Sequence, residues 1–238
     1  MKNKISFVFP SRKRPHKAIS TIENLFNKSK KSENIEVVFV FDSDDQDSIE
    51  KILNSTIAKE NNVKHVIVER EEQNFGELYN IGFLETTHEV IGIIADDLDI
   101  QTENWDTLVL EKCNEVPDDI YLIAPDDGKR VMATHFFVSR KVVGIMGFLQ
   151  PPWFVADFGD MWYTRVFEAV DRFFKLYSVR FIHMHYCYGK SEIDETYEDA
   201  TKRRQGVLNF KDPEHPYNKY GHVRVKQIED LKKQKGNG

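Results

Sequence analysis

Apolar strand-like runs alternate with amphipathic helical segments through residues 1–100, and this alternation limits the possible folds more than any other feature of the chain. The segments ISFVFP, IEVVFVFD, VKHVIVE and VIGIIAD have the pattern of strands. Between them, apolar residues recur at helical spacing, as in the segment that Pro15 opens with Ala18, Ile22 and Leu25. This order predicts an α/β fold, with a Rossmann-like, mixed and mostly parallel central sheet flanked by helices.

The second half of the chain predicts one domain with a polar C-terminal extension. Residues 101–188 continue with shorter strands and helices, whereas the chain from Gly189 onward is charged and weakly periodic. We therefore expect residues 1–188 to form a single domain made of two halves, 1–100 and 101–188. Residues 189–238 are expected to pack on it.

Composition excludes several classes of protein. The chain has 238 residues, of which 40% are hydrophobic and 30% charged, and no apolar run reaches the length of a membrane span. Cys113 and Cys187 form no disulfide framework, so we expect a cytoplasmic protein without a membrane span. A net charge of −6 argues against a broad phosphate-binding surface, although basic clusters such as SRKRPHK leave a local phosphate contact open.

Carboxylates collect where two of the predicted strands end. IEVVFVFD ends in Asp42, and IGIIADDLDI places Asp96, Asp97 and Asp99 directly after an apolar run. Because ligands bind outside the carboxyl ends of parallel strands, these side chains should share one crevice. Carboxylates this close repel one another, and a divalent cation such as Mg²⁺ or Mn²⁺ would neutralise them and hold a diphosphate. A solvated acidic loop is the alternative.

Two later segments add candidate residues. His183 and His185 alternate in RFIHMHYCYGK, so both face one side of a strand, either as ligands or as ordinary strand histidines. ADFGDMWYTRV supplies Asp157 and Asp160 at the start of a helix, where one caps the helix and the other is a candidate general base. The aromatic residues around them offer flat faces to an acceptor.

In this order, the segments resemble the family 2 glycosyltransferases, which have the A-type (GT-A) nucleotide-sugar fold. FVFPSRKRP is similar to the opening strand and P-T-x-x-R loop of that family, and VFVFDSDDQD to its V-V-D-D-G-S-x-D segment. QNFGELYNIGF is similar to the N-x-G-x-x-x-A-R-N-x-G helix start. IGIIADDLDI stands at the position of the metal-binding D-x-D signature, and FGDMWYTRV at that of E-D-x-x-x-x-x-R. The resemblance runs from about Ile5 to His185.

The sequence departs from these family patterns at three positions. The first Asp of D-x-D falls on Ile94, so the carboxylate pair is Asp96 with Asp97 or Asp97 with Asp99. A glycine replaces the Glu before the catalytic Asp, and a tyrosine replaces the Arg of the A-R-N triplet. These departures concern the ligand set more than the fold.

The resemblance implies a metal-dependent glycosyltransferase that moves a sugar from a nucleotide diphospho-sugar, preferably a UDP-sugar, to a hydroxyl group with inversion. It assigns the donor to residues 1–100, the acceptor to residues 101–188 and the catalytic base to Asp160. The implied donor-binding residues are Pro10, Arg12, Arg14, Asp42, Asn74, Asn80 and Asp96. The implied ligands of the divalent metal, Mn²⁺ or Mg²⁺, are Asp97, Asp99, His183 and His185.

The acceptor and two other functions stay open at this point. Trp153 and Trp162 would stack on a saccharide or, as the less favoured alternative, on a modified DNA base. Details such as PSRKRP and DETY are similar to bacteriophage-encoded glycosyltransferase-like proteins, which would place the enzyme in the host cytoplasm. The alternatives are a sugar-phosphate nucleotidyltransferase, whose Gly-rich phosphate loop is missing from PSRKRPHK, and a catalytically silent nucleotide-sugar-binding module.

Overall fold

The structure, a computed structural model, describes residues 1–69, 74–128, 132–155, 158–184, 189–190, 192–204 and 212–236. The strands are β1 (Ile5–Ser11), β2 (Ile35–Asp42), β3 (Asn62–Val68), β4 (Val90–Ile93), β5 (Leu98–Ile100), β6 (Leu122–Asp126), β7 (Phe136–Ser139) and β8 (Phe173–His183). The helices are α1 (Pro15–Asn27), α2 (Gln46–Asn54), α3 (Thr56–Glu60), α4 (Phe75–Leu84), α5 (Trp105–Asn114), α6 (Arg140–Met146), α7 (Gly159–Glu168), α8 (Glu195–Arg204), α9 (Pro216–Lys219) and α10 (Gly221–Gln234).

The strands of the described residues form one eight-stranded sheet in the order β3-β2-β1-β4-β7-β6-β8-β5. β1 is parallel to β2 and β4, β2 is parallel to β3, and β6 is parallel to β8. β7 runs antiparallel to both of its neighbours, and β5 runs antiparallel to β8. The predicted mixed, mostly parallel sheet flanked by helices is therefore confirmed.

Helices cover the central strands on both faces. Every residue of β2 is buried, as expected for an almost continuous apolar run in a parallel sheet. Ala18, Ile22 and Leu25 of α1 pack in one hydrophobic cluster with alternate residues of β1 and β2. The other face of these strands packs against α4. This two-sided burial fixes the carboxyl edge of the sheet, where the candidate site lies.

Three elements differ from the sequence-based expectation. The strand predicted over VIGIIAD ends at Ile93, and Leu98–Ile100 of the acidic run forms β5 instead of remaining in a loop. β8 begins at Phe173, seven residues before the strand expected over RFIHMHYCYGK. Asp171 has φ 55°, a left-handed conformation, and lies in the turn that separates α7 from β8. α6 was not predicted, because its seven residues show too few turns to reveal a period.

The C-terminal helix α10 packs on α6 and α7. Buried Gln227 joins the three helices: it accepts a hydrogen bond from Trp162 Nε1 at 2.9 Å and donates one to Met146 O at 2.6 Å. Among the described residues, no helix combines the length and the apolar character needed to cross a membrane.

Candidate active site

The carboxyl edge of the sheet brings the loops after β1, β2 and β4 together, because these three strands are parallel neighbours. Asp42, the last residue of β2, is buried, and its Oδ2 lies 3.1 Å from Arg12 Nη1. Arg12 also donates to Asp44 Oδ2 at 2.7 Å. The loop after β1 therefore places a guanidinium beside the first of the predicted carboxylates.

The acidic loop after β4 is held by side chains from both helical layers. Tyr79, which replaces the family's arginine, donates its O–H to Ile94 O at 3.2 Å. On the other side, Thr21 Oγ1 lies within hydrogen-bond distance of the carbonyl oxygens of Asp96 and Leu98, at 3.3 and 3.2 Å. These contacts leave Asp96 and Asp97 buried in a fixed loop, unlike the solvated loop of the alternative hypothesis.

Asp96 faces the loop after β1. Its Oδ1 lies 3.0 Å from Arg14 Nη1, and both side chains are buried. Burial raises the pKa of Asp96 to about 7, against the opposing charge of Arg14 and with a smaller contribution from the neighbouring charge of Asp97. The other nitrogens of Arg14 donate to Asp194. Arg14 is thus engaged by two carboxylates.

Asp97 lies beside two histidines that come from different strands. Asp97 precedes β5, and the pairing of Leu98 with His183 brings the end of β8 next to it. His183 Nε2 is 3.1 Å from Asp97 Oδ2. His135 precedes β7, whose antiparallel pairing with β4 sets Phe136 opposite Ile93. One potential ligand atom from each of Asp97, His135 and His183 lies within 4.8 Å of the others.

The protonation of this group suits a divalent metal ion. Burial alone would raise the pKa of Asp97, but the hydrogen bonds and charges of His183 and the hydrogen bond from Tyr197 hold it well below its usual range. Burial lowers the pKa of His135 to about 3, so its imidazole is neutral. His135 Nδ1 is buried and makes no hydrogen bond with the described part of the chain. One carboxylate and two imidazoles form a donor set that fits Mn²⁺ better than Mg²⁺.

One of the predicted metal ligands, Asp99, is not part of this group. Asp99 lies in β5, is partly exposed, and accepts a hydrogen bond from Gln101 Nε2 at 2.8 Å. The two possible carboxylate pairs were Asp96 with Asp97 and Asp97 with Asp99. Of these three aspartates, only Asp97 lies in the described group with the two histidines. His185 lies outside the described residues, so its role stays a prediction.

Asp160 lies in the first turn of α7. Its Oδ1 accepts a hydrogen bond from Met161 N at 2.7 Å. Thr164 donates to Asp160 O at 2.7 Å and accepts from Ala133 N at 3.0 Å, which ties this turn to the segment that carries His135. A Cβ at Gly159 would lie 2.1 Å from Gln150 Oε1, so the glutamine occupies the space that a side chain at position 159 would need. Asp157 lies outside the described residues.

The two predicted asparagines bind the loop after α6 that contains Pro151 and Pro152, called here the Pro-rich loop. Asn80 Oδ1 accepts hydrogen bonds from Leu149 N and Gln150 N at 2.8 and 2.9 Å, and its Nδ2 donates to Gln150 O at 2.8 Å. Asn74 Nδ2 donates to Pro152 O at 3.2 Å. In this structure both amides position the loop, and their contact with a donor stays a prediction. Pro10 lies in β1 opposite Val40, and its donor contact likewise stays a prediction.

The two predicted acceptor tryptophans have different surroundings. Trp162 is fully buried and donates to Gln227, so its ring belongs to the core and offers no exposed face to an acceptor. Trp153 is partly exposed and stacks on Tyr220, with 4.3 Å between ring centroids. The predicted acceptor contact of Trp162 is therefore not supported by its position, whereas that of Trp153 stays a prediction.

Sequence reasoning missed three residues of the site. His135 precedes a short strand and carries no motif, and only the pairing of β7 with β4 reveals its place. Asp194 and Tyr197 belong to the polar segment that was expected to wrap the core. Tyr197 donates its O–H to Asp97 Oδ2 at 2.9 Å. The available signal was the segment DETY, which contains both Asp194 and Tyr197 and whose similarity to bacteriophage-encoded proteins gave it no role in the site.

The fold is similar to that of solved glycosyltransferases. The mannosyltransferase PcManGT from Pyrobaculum calidifontis, in complex with GDP-Man and Mn²⁺, matches with 11% identity and a TM-score of 0.63, over 100% of this chain and 74% of that chain. S. aureus TarS 1-349 matches with 15% identity and a TM-score of 0.56, over 98% of this chain and 90% of that chain. Its complex with UDP-GlcNAc matches with 13% identity, a TM-score of 0.56 and the same coverage. At these identities the likeness shows the fold alone.

A mixed sheet of this topology, with the carboxylate–histidine group at its carboxyl edge, is the A-type glycosyltransferase fold. The family model for glycosyl transferase family 2 matches residues 6–197. Since this match covers most of the chain, the protein belongs to that family. The matched region reaches Tyr197 and so includes the start of α8. A comparison with curated proteins finds no matching relative.

Proposed function

We propose that the protein is a metal-dependent glycosyltransferase that transfers a sugar from a nucleotide diphospho-sugar, a UDP-sugar in preference, to a hydroxyl acceptor with inversion. The observation that carries the proposal is the Asp97–His135–His183 group at the carboxyl edge of the sheet, in which Asp97 and His135 are buried and His183 is partly exposed. Two arginines on the neighbouring loop, Arg12 and Arg14, lie among the adjacent carboxylates.

The metal-binding part of the proposal rests on Asp97, His135 and His183. A divalent cation on these three residues would supply Lewis-acid neutralisation of the diphosphate leaving group. The protein holds the carboxylate ionised and the His135 imidazole neutral, which are the forms that bind a metal. The neighbour PcManGT was solved with Mn²⁺, which supports Mn²⁺ as the first ion to test.

The nucleotide is proposed to bind between the loops after β1 and β2. Asp42 accepts hydrogen bonds through a buried carboxylate at the end of β2, and a ring N–H of the base would donate to it. Arg12, now shared between Asp42 and Asp44, would neutralise phosphate. TarS was solved with UDP and UDP-GlcNAc, and PcManGT with GDP-Man. UDP-sugars and GDP-sugars should therefore both be tested as donors.

Asp160 is proposed to act as the general base. Its carboxylate takes the proton of the acceptor hydroxyl while the acceptor oxygen forms a bond to the anomeric carbon. The bond from that carbon to the diphosphate oxygen breaks, and the nucleoside diphosphate leaves. A single displacement of this kind inverts the anomeric centre. Thr164 donates to Asp160 O and accepts from Ala133 N, two residues before His135, which supports a position of Asp160 near the metal group.

Changing Asp160→Asn tests this assignment. Loss of a general base lowers the rate of transfer by about 10²- to 10⁴-fold. We expect that loss with donor affinity unchanged, measured by NMR with UDP-glucose, UDP-GlcNAc and GDP-mannose as donors and a panel of saccharide acceptors. Asp171→Asn is the matched control, because Asp171 lies in an exposed turn. A wild-type transfer rate in Asp160→Asn contradicts the assignment of Asp160 as the base. A product that keeps the anomeric configuration of the donor contradicts single displacement.

The acceptor is proposed to be a saccharide, with a modified DNA base as the second choice. Trp153, which is partly exposed and stacked on Tyr220, supports an aromatic platform beside the Pro-rich loop. Transfer to oligosaccharides, compared with transfer to DNA that contains hydroxymethylated bases, separates the two. The bacteriophage origin and the cytoplasmic location stay predictions from the sequence.

A further inference from the structure

The start of α8 is bound to the loop after β1 by charged and polar contacts. Asp194, the residue before α8, accepts hydrogen bonds from Arg14 Nε at 2.8 Å and from Lys17 Nζ at 2.9 Å. Thr196 Oγ1 donates to Arg12 O at 3.2 Å. The pKa of Asp194 falls to about 2: burial would raise it, but the hydrogen bonds from Arg14 and Lys17 outweigh burial. The first turn of α8 is therefore docked on residues of the donor site.

This docking fixes the position of Tyr197. Tyr197 N donates to Asp194 Oδ1 at 3.2 Å, which places the residue in the first turn of α8. Its ring lies over the Arg14 guanidinium, with 3.9 Å from Cζ to the ring centroid. A guanidinium stacked on an aromatic face and paired with a carboxylate restrains the direction of the ring. The Tyr197 side chain is consequently held in one orientation, and the residue is buried.

The Tyr197 hydroxyl points at the carboxylate of the metal group. It donates to Asp97 Oδ2 at 2.9 Å, and the same oxygen lies 3.1 Å from His183 Nε2. Carboxylates that ligate metals are commonly oriented by a hydrogen bond from outside the ligand set, and removing such a partner weakens metal binding by about 10- to 100-fold. Tyr197 has the chemistry and the position of such a partner.

We propose that Tyr197 is a positioning residue for the metal: its hydroxyl orients the Asp97 carboxylate, so that the docking of α8 sets the metal affinity. This inference rests on the proposed function, because it requires Asp97 to bind a divalent cation. Coupling between two events is reciprocal, so a bound metal also stabilises the docked first turn of α8. Asp194 then acts through Arg14 and Tyr197, without touching the metal.

Titration with Mn²⁺ alone, without nucleotide, tests this role in the chain of 238 residues. Isothermal titration calorimetry on Tyr197→Phe should show Mn²⁺ binding about 10- to 100-fold weaker than in the wild type. The matched control is Tyr163→Phe, which loses a tyrosine hydrogen bond to Phe148 O at 2.9 Å in the core and leaves α8 untouched. We expect the control to keep wild-type Mn²⁺ affinity.

Folded Tyr197→Phe that binds Mn²⁺ as tightly as the wild type, or more tightly, overturns the inference; tighter binding would mean that the hydroxyl competes with the ion. Asp194→Asn provides a second variant, expected to weaken Mn²⁺ binding because Arg14 and Lys17 lose their charged partner. Hydrogen exchange of residues 195–204 in the wild type should slow when Mn²⁺ is added, and unchanged exchange contradicts the coupling. A wild type that binds no Mn²⁺ overturns the proposed metal site itself.

Discussion

Asp96 and Asp97 are adjacent in the chain, yet the pKa values of their carboxyl groups shift in opposite directions. Asp96 faces Arg14, and its burial dominates, so that its pKa rises to about 7. Asp97 is also buried, but His183 and Tyr197 stabilise its ionised form and lower its pKa. At the scale of the residue, these surroundings distinguish the metal-binding candidate, Asp97, from its neighbour.

His135 provides the residue-scale prediction. Loss of a hydrogen-bond partner outside the ligand set weakens metal binding by about 10- to 100-fold. His135→Ala removes a ligand itself, so we expect it to weaken Mn²⁺ binding by at least that much. Calorimetric titration with Mn²⁺ measures the effect. His65→Ala is the control, since His65 is an exposed histidine of β3. Equal Mn²⁺ affinity in His135→Ala and the wild type would remove His135 from the site.

The sequence predicted part of this site for a physical reason. Asp42, Asp96 and Asp97 stand at the ends of apolar runs, and such positions share an edge in a parallel sheet, whereas His183 was a candidate because it alternates with His185. His135 was out of reach because its place depends on β7 pairing antiparallel with β4, a contact between distant segments. The sequence around His135 does not show which strand β7 pairs with.

At the scale of the element, α4 shows how a helix is fitted to the sheet. Gly82 faces β1 and β2 so closely that a Cβ there would lie 2.5 Å from Val8 Cγ1 and 2.7 Å from Val40 Cγ2. The same helix supplies Tyr79 to the acidic loop and Asn80 to the Pro-rich loop. The close approach of α4 therefore positions two walls of the site.

Gly82→Ala should destabilise the protein by about 1–3 kcal/mol, because the added methyl group overpacks the contact with β1 and β2. Urea unfolding measures the change in the free energy of unfolding. Gly144→Ala in α6 is the matched control: no atom lies within 4 Å of its Cβ position, and alanine should stabilise the helix by about 0.5–1 kcal/mol. Equal stability of Gly82→Ala and the wild type would contradict the packing.

Strand β5, like α6, is an element that the sequence did not predict. The charges of ADDLDI favour a loop. In the structure, however, Leu98 and Ile100 are buried, and Asp99 between them pairs with Ile182 of β8. Three residues are too few to show strand alternation, and the pairing depends on a strand that comes much later in the chain. This short pairing is what brings Asp97 to His183.

At the scale of the whole molecule, the C-terminal segment is packed on the domain at two places. α8 docks beside the acidic loop through Asp194 and Tyr197, and α10 packs on α6 and α7 through Gln227. The family match continues to residue 197 and so crosses the expected boundary at residue 188. The division into residues 1–188 and 189–238 stays a prediction, and the polar character of the segment hid its contacts with the site.

The dependence of UDP binding on metal tests the central claim most directly. If Asp97, His135 and His183 hold the ion that faces the diphosphate, metal and nucleotide bind with positive coupling, typically about 5- to 150-fold. Calorimetric titration of the wild type with UDP should therefore give a clearly tighter dissociation constant in Mn²⁺ than in EDTA, and His135→Ala should lose most of the difference. Equal UDP affinity in Mn²⁺ and in EDTA would contradict a metal-dependent donor site.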